Sequence, residues 1–328
     1  MTSKKRVLSG MRPTGPLHLG NLHGALLNWV NMQDDYECFF FIADWHALTS
    51  DYEDPGFVSA YVREIMIDWL SAGLTQEKST LFVQSRIKEH AELFLLLSMI
   101  TPVPWLERNP TYKDQIVQIN NKDLSTFGFL GYPVLQAADI IMYKANGVPV
   151  GVDQVPHVEI TREIARRFNF LYGNVFPEPD AILTNTPKIL GLDRRKMSKS
   201  YSNAIYLSDA PDSARQKVSQ MITDPQRARK SDPGDPDVCN VYEFHKLYSD
   251  SETVLRVNEE CRSARIGCVD CKKIMAENLI RGLQPIYDRR TYYSDHPGIV
   301  DDILNDGCNK AGKIAKQTME EVRKAVGM

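Results

Sequence analysis

The chain of 328 residues has no long apolar run; the longest, Cys38 to Ala43 and Leu93 to Leu97, are far too short to span a bilayer. It has no excess of positive charge either, with 39 Lys and Arg against 42 Asp and Glu and a formal net charge of -3. That balance excludes a globally basic nucleic-acid coat but not a local basic face. No internal repeat or low-complexity segment occurs, which excludes a solenoid. The basic start, Lys4-Lys5-Arg6, runs into a strand pattern without the apolar stretch of a secretory leader, so a cytoplasmic protein without membrane partners is expected. Cysteine is scarce, six in all, yet four fall in one short window. In a reducing compartment such a cluster points to metal or to chemistry rather than to disulfides.

What is present is the composition of a soluble globular protein, 43% hydrophobic and 25% charged, long enough for about two domains. Strand and helix patterns alternate over the first two hundred residues. Strands are expected at 7–10, 38–43, 80–83 and 148–150, and helices at 21–33, 58–70, 91–100, 137–143 and 158–168. A Pro-rich stretch from Thr101 to Pro110 interrupts them. After about Tyr206 the alternation stops, and a Pro and Asp loop at 224–237 leads into helices expected at 242–248, 251–261, 272–287 and 303–326. The expectation is an α/β fold, a doubly wound parallel sheet of nucleotide-binding type over 1–206, followed by an all-helical domain over 207–328. Whether the last helix packs back on the first domain is left open.

Two short motifs carry chemistry. Ser9 to Asn21 joins the first strand to the first helix, where ligands of parallel sheets bind. Glycines there admit a close ligand, the helix start favours phosphate, and His18 and Asn21 add side-chain donors. An ordinary strand–turn–helix connection reads the same way. Farther on, Arg194-Arg195-Lys196-Met197-Ser198-Lys199-Ser200 packs four cations into six positions. It is either a solvated loop or a mobile clamp for a triphosphate, since phosphoryl chemistry is mostly positioning and charge stabilisation.

Leu17-His18-Leu19-Gly20-Asn21 resembles the variant first signature of class I aminoacyl-tRNA synthetases, and Lys196 to Ser200 their second signature. The stretches Ala43 to Thr49, Tyr132 to Ile140 and Val150 to Gln154 resemble bacterial-type tryptophanyl-tRNA synthetases, over essentially the whole chain. The resemblance implies a Rossmann-type catalytic domain and a helical domain that meets the tRNA anticodon. It implies ATP-dependent activation of L-tryptophan with release of pyrophosphate, then transfer to tRNA(Trp), with Mg²⁺ and a homodimer whose anticodons each meet the partner's helical domain. Carried over position by position, His18, Asn21, Lys196 and Lys199 are catalytic. ATP contacts fall on Arg12, Pro13, Thr14, Gly20 and Asn21, on Gly151, Val152 and Asp153 near the ribose, on Ile189 at the adenine, on Lys113 at a phosphate, and on Lys196, Met197, Ser198, Lys199 and Ser200. The family commonly has glutamine at the position of Arg12.

For the amino acid, the resemblance gives Asp139 as acceptor of the indole N–H, with His46, Gln136, Gln154 and Tyr132 around it. Many relatives have methionine at the position of Gln136. Tyrosyl-tRNA synthetases are the competing reading, since Tyr132, Gln136 and Asp139 also suit a phenol. Asn21, Lys199 and the run from Ile140 to Asn169 favour tryptophan. A nucleotidyltransferase that never meets tRNA, and an RNA-binding module on a retired scaffold, are the readings from other classes.

Cys239, Cys261, Cys268 and Cys271 follow C-x21-C-x6-C-x2-C. Four thiolates suit tetrahedral zinc or a cubane iron–sulfur cluster, and unliganded thiols are the third option. The resemblance is to the subset with a [4Fe-4S] cluster, the first interval being one residue shorter here. Arg262, Arg265, Lys272 and Lys273 nearby suit either phosphate contacts or a solvated face.

Overall fold

The computed structural model of the chain describes residues 4–118, 122–184 and 189–328. Strands β1 (Arg6–Met11), β2 (Glu37–Ile42), β3 (Ser79–Val83), β4 (Gly147–Val150) and β5 (Asp180–Leu183) form one sheet in the order β3-β2-β1-β4-β5. Every pair is parallel. The winding reverses between β1 and β4, and that crevice, beyond the strands' carboxyl ends, is where such sheets bind ligands.

β2 shows why its residues make a central strand. The period of two sends Phe40 and Ile42 to one face and Phe39 and Phe41 to the other, and both faces are covered. Phe40 stacks on Trp29 at 4.6 Å, while Phe39 stacks on Tyr143 at 5.2 Å and Phe41 on Phe82 at 5.6 Å. A strand buried on both sides therefore reads as a continuous apolar run. Each such ring contributes about 1.5–3 kcal/mol through burial.

Helix α1 spans 19–32 as Leu19–Asn21, a π turn at Leu22–Leu26, and Leu27–Met32. After β2 come α2 (Asp44–Leu48) and α3 (Gly56–Ala72), whose Ile65, Met66 and Trp69 join the Trp29 face. The opposite face is covered by α4 (Glu89–Ser98), α7 (Phe127–Met142) and α8 (Val155–Tyr172), with α5 (Val103–Glu107) and α6 (Pro110–Gln118) between them. The remaining helices are α9 (Pro211–Gln220), α10 (Asn240–Tyr248), α11 (Ser251–Arg262), α12 (Cys268–Asp295) and α13 (Pro297–Val326).

These last helices share the core of the sheet. Along α3, Arg289 Nε of α12 donates to the Ser71 carbonyl at 2.6 Å and Arg290 pairs with Glu64 at 2.5 Å and with Asp68. α13 lies against β3, where Gly307 faces the Leu81 backbone so closely that a Cβ would collide with it. Among the described residues no helix is long and apolar enough to cross a membrane.

The four expected strands form within a residue or so of their expected limits. β5 was not expected: it is an edge strand of four residues, at most half-buried, following Pro177 and Pro179, and its three apolar residues, Ala181 to Leu183, are too few to set a period. α7 begins ten residues before the expected 137, because Gly128, Gly131 and Pro133 read as breakers. A cap overrides them, the Thr126 hydroxyl accepting the Phe129 N–H at 3.2 Å, and the helix is buried almost throughout. α12 and α13 run on through the polar stretch expected to separate them, with only His296 between.

Candidate active site

The first loop is closed by its own side chains. The His18 N–H donates to Asn21 Oδ1 at 3.0 Å, and the Asn21 N–H donates back to His18 Nδ1 at 3.3 Å, a reciprocal cap that satisfies donors at the start of α1. Nδ1 is thus the acceptor nitrogen, and the neutral ring carries its proton on Nε2. Burial, with the charges of Lys199 and Lys196, lowers the His18 pKa to about 4, so the ring is neutral at pH 7. Gly20 is required beneath it, since a Cβ there would lie 2.9 Å from the imidazole.

The lysine loop is bound to the first loop by the Lys199 side chain, and the segment just after it by main chain. The Leu19 N–H donates to the Ile205 carbonyl at 3.0 Å and the Leu207 N–H to the Leu17 carbonyl at 2.9 Å. Lys199 Nζ donates to the Gly15 carbonyl at 2.7 Å, and Gly15 has φ of 136°, a conformation natural to glycine. Burial lowers the Lys199 pKa to about 8, with Arg12 lowering it further and Asp68 opposing. An arriving anion favours the ammonium form. Lys196 is exposed where the turn closes, in an antiparallel bridge with Leu190, and Met197 is buried beside Ile189, whose carbonyl accepts the Met197 N–H at 3.1 Å. Ser200 lies in the turn Lys199–Tyr201; its side chain is outside the described part.

Next to these loops is a cavity of about 390 Å³. Its wall holds all five residues expected for the amino acid, Tyr132, Gln136, Asp139, His46 and Gln154, together with Arg12 and Gly151. Tyr132, Gln136 and Asp139 are spaced i, i+4, i+7 and so share one face of α7. Asp139 is fully buried. Its Oδ1 accepts from Gln84 Nε2 at 2.9 Å and His90 Nδ1 at 2.6 Å, and its Oδ2 from Gln84 Nε2 and His46 Nε2, both at 2.8 Å. Burial alone would raise this carboxyl; the hydrogen bonds and charges of His46 and His90 outweigh it and hold the pKa below the usual range. The Tyr143 hydroxyl completes the chain on His90 Nε2 at 2.7 Å. Across the cavity the Tyr132 hydroxyl donates to His157 Nε2 at 2.9 Å, and His157 Nδ1 donates to Gln154 Oε1 at 2.9 Å. Burial lowers the His157 pKa to about 4, which keeps that ring neutral too.

The other expected residues stand apart from the cavity wall. Lys113 is exposed on α6, and Gln115, two residues on, lines the cavity instead. Val152 and Asp153 are exposed beyond β4. Sequence reasoning missed Gln84, His90 and Tyr143, and also Gly24 and Ala25 of the π turn, which line the cavity. It missed Asn203, whose Oδ1 accepts the Ser198 N–H at 2.9 Å while its amide donates to Asp193 at 2.6 Å. None of these has a local motif; each enters through the topology.

Among the described residues no group of three or more His, Cys, Asp or Glu, the four cysteines included, has ligating geometry. Instead Arg227 Nη1 donates to Cys261 Sγ at 3.7 Å and Cys268 Sγ at 3.9 Å, and Cys271 Sγ lies 3.5 Å from His245 Nε2. The thiols are nevertheless neighbours. Burial and then the charges of Cys239, Cys261 and Cys268 push the Cys271 thiol up to about 12.

Residues 1–284 match the family of class I tRNA synthetases for tryptophan and tyrosine (W and Y). The tryptophan–tRNA ligase of Thermotoga maritima is 54% identical, over 98% of this chain and 99% of its own length. That of Ralstonia nicotianae is 46% identical, over 99% and 98%. Among solved structures, the tryptophanyl-tRNA synthetase of Campylobacter jejuni complexed with ADP and tryptophan superposes with a TM-score of 0.91 at 33% identity, covering 98% of this chain and all of that one. The tyrosyl-tRNA synthetase of Archaeoglobus fulgidus, at 19% identity and a TM-score of 0.66, shares the fold.

Proposed function

The chain belongs to the class I tRNA synthetases, in the branch for tryptophan and tyrosine, and works as a bacterial-type tryptophan–tRNA ligase; on that premise we propose which of its residues carry the reaction. The enzyme activates L-tryptophan with ATP, releases pyrophosphate, and passes the tryptophanyl group to tRNA.

Tryptophan occupies the 390 Å³ cavity with its indole N–H on Asp139. A carboxylate has about four lone-pair sites, so the indole N–H takes over the share that Gln84 spreads across both oxygens. Gln136 and Tyr132 pack on the ring, and Gln154 and His46 border it. ATP lies over Arg12, Pro13, Thr14, Gly20 and Asn21, with its ribose near Gly151, Val152 and Asp153 and its adenine near Ile189. The tryptophan carboxylate attacks the α-phosphate in line; being ionised already, it needs no general base. His18 donates Nε2–H to a phosphate oxygen. Pyrophosphate leaves toward Lys196 and Lys199 within the clamp of Met197, Ser198 and Ser200, and Lys113 meets a phosphate. Mg²⁺ accompanies ATP and neutralises part of the phosphate charge.

The observation that carries this reading is the 2.7 Å hydrogen bond from Lys199 to Gly15, which joins the two phosphate-type loops beside the cavity of Asp139. Pyrophosphate exchange dependent on each of the twenty amino acids tests it. Exchange with tryptophan alone is expected, and exchange with tyrosine in its place overturns the assignment.

Residues 207–328 meet the anticodon, and the enzyme acts as a homodimer in which each anticodon contacts the partner's helical part. Cys239, Cys261, Cys268 and Cys271 hold a [4Fe-4S] cluster. The chemistry of the donor set suits such a cluster: four thiols from adjoining elements, and the Arg227 guanidinium beside two of them to balance an anionic group. When bound, the cluster would be held by Cys239 before α10, Cys261 at the end of α11, and Cys268 and Cys271 in the first turn of α12. Protein purified without oxygen is expected to be brown, absorbing near ~400 nm; a colourless protein with one zinc per chain refutes iron.

A further inference from the structure

A second cavity, about 180 Å³, opens between α9 and α12. Val269 and Ala276 form its floor, and Arg215, Lys272, Lys273 and Glu277 its rim. Positions 269, 272, 273 and 276 fall on one face of α12, beginning in the same first turn that carries Cys268 and Cys271.

The charges at this cavity differ from those around it. Arg262 is neutralised by Asp237 at 2.6 Å and Asp235 at 3.4 Å, and Arg265 approaches Glu259 at 4.0 Å. Arg215 is fixed by a fork on Glu277 at 2.8 and 3.2 Å and by Asp212 at 2.7 Å, so its guanidinium is a flat plate with its charge cancelled. Among the described residues Lys272 donates only to the Ser219 carbonyl, at 2.8 Å, and forms no ion pair. Lys273 has no hydrogen bond or ion pair among the described residues. Val269 is 66% exposed, an apolar side chain in water beside these two ammonium groups.

We propose that this cavity takes one nucleobase turned out of a single-stranded tRNA loop. The base stacks on the Arg215 plate over the floor of Val269 and Ala276, and the adjoining phosphate sits on Lys272 and Lys273. Guanidinium planes and apolar faces are the surfaces on which unstacked bases rest, and paired lysines match one phosphate. An acidic peptide satisfies the lysines and leaves the plate and floor uncovered. The assignment rests on the reading of 207–328 as the part that meets the anticodon.

The full-length protein is titrated with a labelled anticodon stem-loop of tRNA(Trp), and charging and pyrophosphate exchange are measured alongside. Val269→Asp, at a helix start that favours a carboxylate, and Lys273→Glu are each expected to weaken stem-loop binding and raise KM for tRNA by about tenfold. Both are expected to leave tryptophan-dependent exchange unchanged, and Lys273→Arg to bind as the wild type does. Stem-loop binding that is equal in the wild type and both variants overturns the cavity assignment alone. A wild type that binds no stem-loop overturns the reading of 207–328, and this assignment with it. Displacement of the stem-loop by polyglutamate as readily as by polyuridylate overturns base recognition.

Discussion

Asp139 is a buried carboxylate whose three donors reach it from three places: His46 in α2, Gln84 after β3, and His90 in α4. A charge so placed persists only because it is hydrogen-bonded on both oxygens. Removing it therefore does two separable things. Asp139→Ala leaves three buried donors without an acceptor, which lowers the melting temperature. It also removes the acceptor for the indole N–H, and kcat/KM for tryptophan in pyrophosphate exchange is expected to fall by on the order of 10³-fold or more. Asp139→Asn keeps the volume and half the acceptor, and so separates the two effects. ATP binding is expected to survive in both variants; near-normal tryptophan activation by folded Asp139→Asn overturns the role given to Asp139. Asp139 itself was legible only through the resemblance of Tyr132 to Ile140 to bacterial-type tryptophanyl-tRNA synthetases; on its own it reads equally as a helix cap or ion-pair partner. Gln84, His90 and Tyr143 were not, since nothing local marks residues that meet only after β3 has crossed to the sheet edge.

The lysine loop is an element whose chemistry was legible and whose support was not. Four cations interleaved with two serines announce anion contact, but the shape of the turn is held by Asn203, buried and bonded to the Ser198 N–H, Asp193 and the Lys196 carbonyl. An asparagine three residues past a motif looks like any loop residue. Asn203→Ala leaves a buried N–H and a carboxylate short of a partner, a cost of about 1–3 kcal/mol. Because this falls on the loop that receives pyrophosphate, kcat for exchange is expected to drop by about tenfold, while KM for tryptophan stays as it was. A change in KM for tryptophan alone, with kcat intact, contradicts this division of labour. The same logic explains β5 and the early turns of α7. A half-exposed edge strand has little apolar signal, and a helix rich in Gly and Pro forms because a cap and burial override local propensity.

At the scale of the whole molecule, the helical part shares the sheet's apolar core, so the transition near residue 206 that shows in the sequence pattern is not matched by a break in packing. What the sequence pattern leaves invisible is a patch of apolar side chains in solvent. Met99 and Phe170 are 70% and 87% exposed, and Leu95, Val103 and Leu171 accompany them. They flank the point where Arg167 of α8 donates to the Ile100 carbonyl at 2.5 Å, which ties the ends of α4 and α8 together. Leu95 and Met99 fall in a helix expected from the sequence, while Val103, Phe170 and Leu171 lie beyond the expected helices, and only the fold brings their two segments together. Exposed apolar side chains at the joined ends of two helices suit a contact with another protein, and a second copy of this chain is the occupant the proposed homodimer requires. Met99→Glu and Phe170→Glu each put a charge into that interface without touching the core. Sedimentation of the wild type is expected to give a dimer of 37.3 kDa chains, and the double variant a monomer. If each anticodon meets the partner's helical part, the monomer also loses tRNA charging. A double variant that remains dimeric moves the interface elsewhere on the surface, and a wild type that sediments as a monomer removes the dimer from the proposed function.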